Sequence, residues 1–152
     1  MILDFIKNEC VKVPLAGNDK DTVIRELVDL VHKHGDISDR DDALKVVMER
    51  EALMSTGIGG GIAIPHGKAD SVTHLAGALG IAAEPIEFDS VDGEPVRLII
   101  LLVSSASDSG PHIRALSRIS RLLADNGFRK RLTAAPSAAD VISIIEAEEK
   151  QR

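Results

Sequence analysis

The chain has 152 residues, with 18 Lys and Arg against 24 Asp and Glu, for a net charge of −6. Its 44% hydrophobic and 28% charged residues, with a mean hydropathy of +0.06, supply one core and exclude a disordered chain. An acidic chain is a poor match for a polyanion, which disfavours nucleic acid as a partner. There is no Trp, no Tyr and only three Phe. Sugars and bases are usually held by stacking on such rings, so tight binding of a free sugar by this domain alone is disfavoured.

The one cysteine, Cys10, excludes an internal disulfide and a thiolate metal cluster, and reads as a small buried hydrophobe. The start, Met-Ile-Leu-Asp-Phe-Ile-Lys, carries Asp4 and has no basic segment before a long apolar stretch, unlike a signal peptide. The longest aliphatic run, Leu98 to Val103, falls far short of the roughly 18 residues of a membrane span. A soluble, cytoplasmic protein is expected.

Asp19 or Asn18 caps a predicted helix running to about His34, with Val23, Ile24, Leu27, Val28 and Val31 at helical spacing and Gly35 as its stop. Ser38 and Asp41 fit a capping box that opens a second helix, antiparallel to the first, with Ala43, Leu44, Val47 and Met48 inward, ending near Met54. Thr56 to Gly67 is too rich in glycine for a helix, and Pro65 pushes Ile64 toward an extended conformation. It reads as a glycine turn, a short strand at Ile62 to Ile64 and an exposed bend at His66-Gly67. Leu75 to Ala83 is a predicted strand, followed by turns at Glu84-Pro85 and Asp92-Gly93. Arg97 to Val103 has no polar alternation and reads as a strand covered on both faces. After a polar loop from Ser104 to Gly110, Pro111 opens a helix with Ile113, Leu116, Ile119, Leu122 and Leu123 inward and Arg114, Arg118 and Arg121 outward. Asn126-Gly127 ends it. A short helix covers about Phe128 to Ala134, and Ser137 with Asp140 caps a last one through Val141, Ile142 and Ile145. The sum is a single α/β domain over residues 1–152, a central mixed sheet of four or five strands flanked by helices on both faces.

Two nucleotide motifs fail. Gly67-Lys68 could end a Walker A loop, but Ile62 stands where the first glycine belongs and Ala69 replaces the hydroxyl. A dinucleotide fingerprint needs a strand before its glycines and a helix after them; here a helix precedes and Pro65-His66-Gly67 follows. His66 is the stronger signal. Pro65 stiffens one side of it and Gly67 leaves the other open, presenting an imidazole on a rigid support. An exposed imidazole is largely neutral at pH 7, and a neutral ring nitrogen is a competent nucleophile toward phosphorus. The plain alternative is a turn histidine without a role. His32 and His34 suit a helix C-terminus without further function. His74, His66 and Asp70 lack the spacing of a metal site. The arginine face is either solvated or a patch for an acidic partner.

The segment from Met48 to Lys68, MEREALMSTGIGGGIAIPHGK, resembles the signature of enzyme IIA proteins of the phosphoenolpyruvate-dependent phosphotransferase system, in the fructose/mannitol and nitrogen-regulatory class. Pro85 to Val96 resembles the family's turn segment and His112 to Ile119 its second-histidine helix, so the resemblance spans nearly the whole chain. Gly60 departs from the family's frequent Asn. The resemblance implies that His66 accepts a phosphoryl group from phospho-HPr or an HPr-like carrier. It then passes the group to an enzyme IIB, or holds it as a regulatory mark. No metal or cofactor is implied. Arg50 would bind phosphoryl oxygens, and His112 would donate a hydrogen bond to the group or orient the His66 ring. Amides of the glycine segment, at Gly59, Gly61 and Gly67, could add an anion nest. The 152 residues carry no fused IIB, IIC or HPr segment, which leans toward the nitrogen-regulatory type over a sugar-uptake component. A ligand sensor with an inert His66 is a third reading.

Overall fold

The computed structural model describes residues 1–151; Arg152, the last residue of the predicted domain, lies outside the described residues. A 3-10 turn at Ile2–Asp4 leads into β1 (Ile6–Leu15), followed by α1 (Lys20–Lys33) and α2 (Arg40–Leu53). Three short strands come next, β2 (Gly57–Gly59), β3 (Ile62–Ala63) and β4 (His66–Ala69). Then come β5 (Ala76–Ile86), β6 (Val96–Ser105), α3 (Gly110–Leu123), α4 (Asn126–Ala134) and α5 (Ala138–Lys150).

The six strands form one mixed sheet in the order β1-β5-β6-β3-β2, with β4 also paired to β6. The run of apolar residues in β6 makes it the centre. Leu98 to Val103 are each 1% exposed or less. Successive strand residues point to opposite faces, so both faces of the sheet are covered there. β6 runs antiparallel to β5 on one side and parallel to β3 and β4 on the other. Ile62 pairs with Leu98 and His66 with Leu102, so β3 and β4 continue one line in one register, interrupted only at Ile64-Pro65. The Pro65 carbonyl still accepts from Leu102 N–H at 3.0 Å.

Several elements differ from the sequence reading. β1 was not anticipated, because Lys7, Asn8 and Glu9 break its apolar pattern; they are exposed on an edge strand whose Ile6, Cys10, Val11 and Leu15 are buried. Such charges on an edge discourage pairing with another chain. The expected turn at Glu84-Pro85 lies inside β5, where the β5–β6 register breaks between Ile81 and Ile86. Proline is tolerated at such an irregularity because no ladder bond is lost. α2 is capped by Asp39, whose side chain accepts from Asp42 N–H, and not by Ser38. Asp39 and Asp42 repeat the same spacing one residue later. Asn126-Gly127 does not end α3 as a loop. It forms the first turn of α4, capped by Asp125. Ser137 caps α5 as expected, accepting from Asp140 N–H at 3.2 Å. Cys10 is fully buried, and burial pushes its thiol up to about 11.

The largest correction concerns His66-Gly67. The pair is not an exposed bend but the start of β4, with His66 half-buried and Gly67 buried. Gly67 is where α2 crosses the strand. A Cβ there would stand 2.9 Å from Val46 Cγ2 and 3.0 Å from the Val47 backbone nitrogen. The backbone nitrogen cannot swing aside, and the β-branched Val46 is held to one preferred rotamer in the helix. Gly67→Ala is therefore expected to destabilise the fold by about 1–3 kcal/mol, as overpacked sites do. Urea denaturation checks this, and unchanged stability would mean that α2 is not seated against β4 as described.

Candidate functional site

His66 and His112 meet at the end of the sheet, their ring centroids 5.1 Å apart and their planes tilted by 57°. Different elements deliver them, His66 from β4 and His112 from the first turn of α3, where Pro111 presets the helical backbone. The two rings share an open hollow of about 570 Å³ with Arg50, Gly67, Lys68, Leu53 and Ile113.

The His66 ring is tied at one nitrogen. Its Nδ1 lies 2.8 Å from the Ile64 carbonyl oxygen. A carbonyl only accepts, so Nδ1 carries the proton and donates it. In the neutral ring that leaves the lone pair on Nε2. Pro65 biases Ile64 toward an extended backbone, and it is the Ile64 carbonyl that meets the ring. Burial lowers the His66 pKa below 6.5; the Ile64 bond raises it, and Arg50 lowers it again. The net direction keeps the ring neutral at pH 7.

His112 is only 3% exposed and is more strongly shifted. Burial, then the neighbouring His66 and Lys68, push its pKa down to about 4. Its Nδ1 sits 2.7 Å from the Ser104 hydroxyl on β6. The apolar spacing predicts Ile113 inward at this point. Instead His112, Ala115, Ile119, Leu122 and Leu123 face the core, and Ile113 is 62% exposed at the rim of the hollow. Residues 112 and 113 are one helical step apart, and an apolar side chain at 113 drew the predicted face to the wrong residue.

Arg50 does not pair with Glu49 or Glu51. Its guanidinium donates to the Met54 carbonyl at 2.9 Å while lining the hollow. Glu51 faces the interior. Its carboxylate accepts from Thr56 N–H at 2.9 Å and pairs with Lys20 at 2.8 Å. The Thr56 carbonyl accepts from Ile64 N–H at 3.0 Å. An unbroken hydrogen-bonded frame thus runs from Lys20 through Glu51, Thr56 and Ile64 to His66, and it fixes the end of α2 from which Arg50 projects.

The sequence offers Lys68 only as the end of a Walker A loop that fails, and not as a partner of His66. Strand alternation puts it on the same side of β4 as His66, and its ammonium donates to the Ser109 hydroxyl at 2.9 Å. The one available signal was its position two residues after His66. Of the three glycines, the structure brings only Gly67 to the hollow. Gly59 ends β2 and Gly61 lies in the β2–β3 turn, with φ of +95° and +80°. Between them the Gly60 amide is taken by the Asp92 carboxylate at 3.0 Å. Gly60 itself has φ +66°, a left-handed conformation that Asn also tolerates, so the departure at this position leaves the turn intact. His74 lies 3.6 Å from Asp36, away from His66. Arg118 contacts the buried Glu149 at 3.4 Å, so the arginine face of α3 is partly used within the fold.

The fold and its paired imidazoles, flanked by two cations, define a mixed α/β domain built around an open histidine site. Comparison with known proteins gives the family. Residues 4–148 match the family model described as "Phosphoenolpyruvate-dependent sugar phosphotransferase system, EIIA 2". The chain is 35% identical over 149 residues, 98% of its length, to a fructose-specific EIIABC component of Bacillus subtilis, and spans 24% of that longer protein. It is 33% identical over 146 residues to a nitrogen regulatory protein of Bradyrhizobium diazoefficiens, covering 95% of this chain and 94% of the relative. The crystal structure of nitrogen regulatory protein IIA-Ntr from Neisseria meningitidis superposes with a TM-score of 0.86 at 30% identity, covering 94% of this chain and 97% of that one. The chain therefore belongs to the EIIA 2 family of the phosphotransferase system. It is a phosphotransferase of the class that works through a phosphohistidine. No described helix is long and apolar enough to cross a membrane.

The depressed pKa of His112 has a thermodynamic consequence. Between about pH 6.5 and 4 the unfolded chain takes up a proton that the folded chain refuses, so stability is complete above 6.5 and falls as the pH drops. The expected loss is on the order of 3 kcal/mol at 1.36 kcal/mol per pKa unit. His112→Asn keeps an acceptor for Ser104 and should remove that part of the slope. Denaturation midpoints across this range check it; parallel profiles for the two proteins would contradict the shift.

Proposed function

We propose that His66 is the phosphoryl-carrying residue and that Nε2 is its nucleophilic atom. The observation that carries the reading is the Nδ1–H bond to the Ile64 carbonyl, which leaves one nucleophilic nitrogen in the neutral ring. The lone pair of Nε2 attacks phosphorus in line, and the P–N bond of the donor phosphohistidine breaks with its electron pair returning to the donor ring. Nδ1 keeps its proton. The positive charge gained by the His66 ring is stabilised through the Ile64 carbonyl. Because one P–N bond replaces another, the transfer is near balance, and the protein's work is positioning and charge stabilisation.

Arg50 and Lys68 flank the hollow as fixed cations for the equatorial oxygens, and His112 is the second imidazole within reach. Leu53, 84% exposed, and Ile113 form an apolar rim. Large exposed apolar side chains around a charged centre suit docking by another protein. The donor is HPr or an HPr-like carrier, and the setting is the cytoplasm.

Of the two roles open to the family, the regulatory one is supported by the superposition on IIA-Ntr and by the relative matched over 94% of its length. The second reading, delivery of phosphate to a sugar-specific enzyme IIB, is supported by the 35% identity to the fructose component.

Phosphoenolpyruvate with enzyme I and HPr should place an acid-labile, base-stable phosphate on the protein, and His66→Ala should abolish it. A variant labelled as well as wild type would refute the assignment. Arg50→Ala should slow transfer roughly tenfold to a hundredfold, the range for a lost charged hydrogen bond, without unfolding the chain. An unchanged rate would remove Arg50 from the mechanism. Transfer of the label from the purified phosphoprotein to a sugar-specific enzyme IIB would overturn the regulatory reading in favour of uptake.

A further inference from the structure

The Ser104–His112 pair is not accounted for by placing the phosphoryl group on His66. Ser104 is the ninth residue of β6 and, at 1% exposed, is as buried as the aliphatic residues before it. A hydroxyl in that position is favoured to use its proton, because an unpaired buried donor costs about 1–3 kcal/mol. Among the described residues its sole hydrogen-bond partner is His112 Nδ1, at 2.7 Å. Two arrangements are possible. If Nδ1–H donated to Ser104 Oγ, the serine proton would have no acceptor. If Ser104 O–H donates to Nδ1, both groups are satisfied and the imidazole proton resides on Nε2. The second arrangement leaves no buried donor orphaned. The register is consistent with this. Ser104 pairs with Lys68 across β4 and β6, and the Lys68 ammonium, a donor bound to Ser109, offers the Ser104 proton no acceptor.

We propose that Ser104 is a positioning residue that sets the tautomer of His112, making its Nε2–H a hydrogen-bond donor toward a phosphoryl group on His66. The proposal rests on the reading of His66 as the phosphoryl carrier and specifies what the second histidine contributes. In the opposite tautomer, His112 Nε2 would turn a lone pair toward the phosphoryl oxygens and repel them. With the Ser104 bond in place, the two imidazoles are complementary. His66 holds its proton on Nδ1 and offers a lone pair at Nε2, whereas His112 accepts at Nδ1 and offers a proton at Nε2. One nitrogen pair receives phosphorus and oxygen respectively, and each remaining nitrogen is anchored to β-structure: His66 to Ile64 beside β4, His112 to Ser104 on β6.

The test reads tautomer and rate separately. In protein labelled with ¹⁵N-histidine, long-range ¹H–¹⁵N spectra near pH 7 should show His112 protonated at Nε2 with Nδ1 as the acceptor. A wild-type spectrum with the proton on Nδ1 overturns the proposal, and it does so whether or not any variant folds. Ser104→Ala should shift His112 to a mixture of tautomers and slow phosphoryl uptake from phospho-HPr about tenfold, while Ser104→Thr, which keeps the hydroxyl, should restore both. A Ser104→Ala protein with an unchanged His112 spectrum and a wild-type rate refutes the role. If wild-type protein takes up no phosphate but shows the Nε2–H tautomer, the carrier reading has failed and the Ser104–His112 arrangement stands.

Discussion

One hydrogen bond organises this molecule's chemistry, the donation from His66 Nδ1 to the carbonyl of Ile64. It fixes the ring's orientation and its tautomer together, since a carbonyl cannot donate. The local chain is arranged to hold that carbonyl still. Pro65 keeps Ile64 extended, the Ile64 amide is bound to Thr56, and the Pro65 carbonyl is bound to Leu102 on the central strand. Thr56 is held in turn by the buried carboxylate of Glu51, which is neutralised by Lys20. A charge this deep is tolerated because it is both paired and hydrogen-bonded. The break between β3 and β4 is thus the point where sheet geometry is converted into a defined imidazole.

The electrostatics follow the same plan. The chain as a whole is acidic, yet the hollow combines two neutral imidazoles with Arg50 and Lys68 against a single carboxylate, Glu49, at its lining. Burial and the nearby cations lower both histidine pKa values, so protonation is suppressed at His66, the proposed nucleophile, and at His112 beside it. An arriving phosphoryl group meets positive charge without having to displace a proton. A pair of cationic histidines would bind an anion better but could not attack it.

Much of this was legible in the sequence, for identifiable reasons. The helices announced themselves by apolar spacing and by Asp19 and Ser137 as caps, and β6 by an unbroken aliphatic run. His66 and Arg50 stood out by their place in the segment Met48 to Lys68 that resembles the family, and His112 by its place in a second, shorter one. What stayed hidden depended on pairing between distant segments. β1 carries a run of three polar residues, Lys7 to Glu9, on an edge, and its strand character comes from lying beside β5. His66-Gly67 reads locally as a turn and becomes a strand only because β6 lies alongside it. Ser104 and Lys68 look like ordinary loop residues until the β4–β6 register sets them side by side, one reaching His112 and the other Ser109. Gly67 looked like a source of freedom and is instead a site of close approach, where α2 leaves no room for a methyl group.

The central claim is atomic: the phosphoryl group resides on His66 Nε2 while Nδ1 keeps its proton on the Ile64 carbonyl. The most direct measurement is the pair of ¹⁵N shifts of the His66 ring in the phosphorylated protein, with the ³¹P coupling identifying the bonded nitrogen. Phosphorus coupled to Nε2, with Nδ1 still protonated, is the predicted result. Phosphorus on Nδ1, or on any histidine other than His66, would contradict the account.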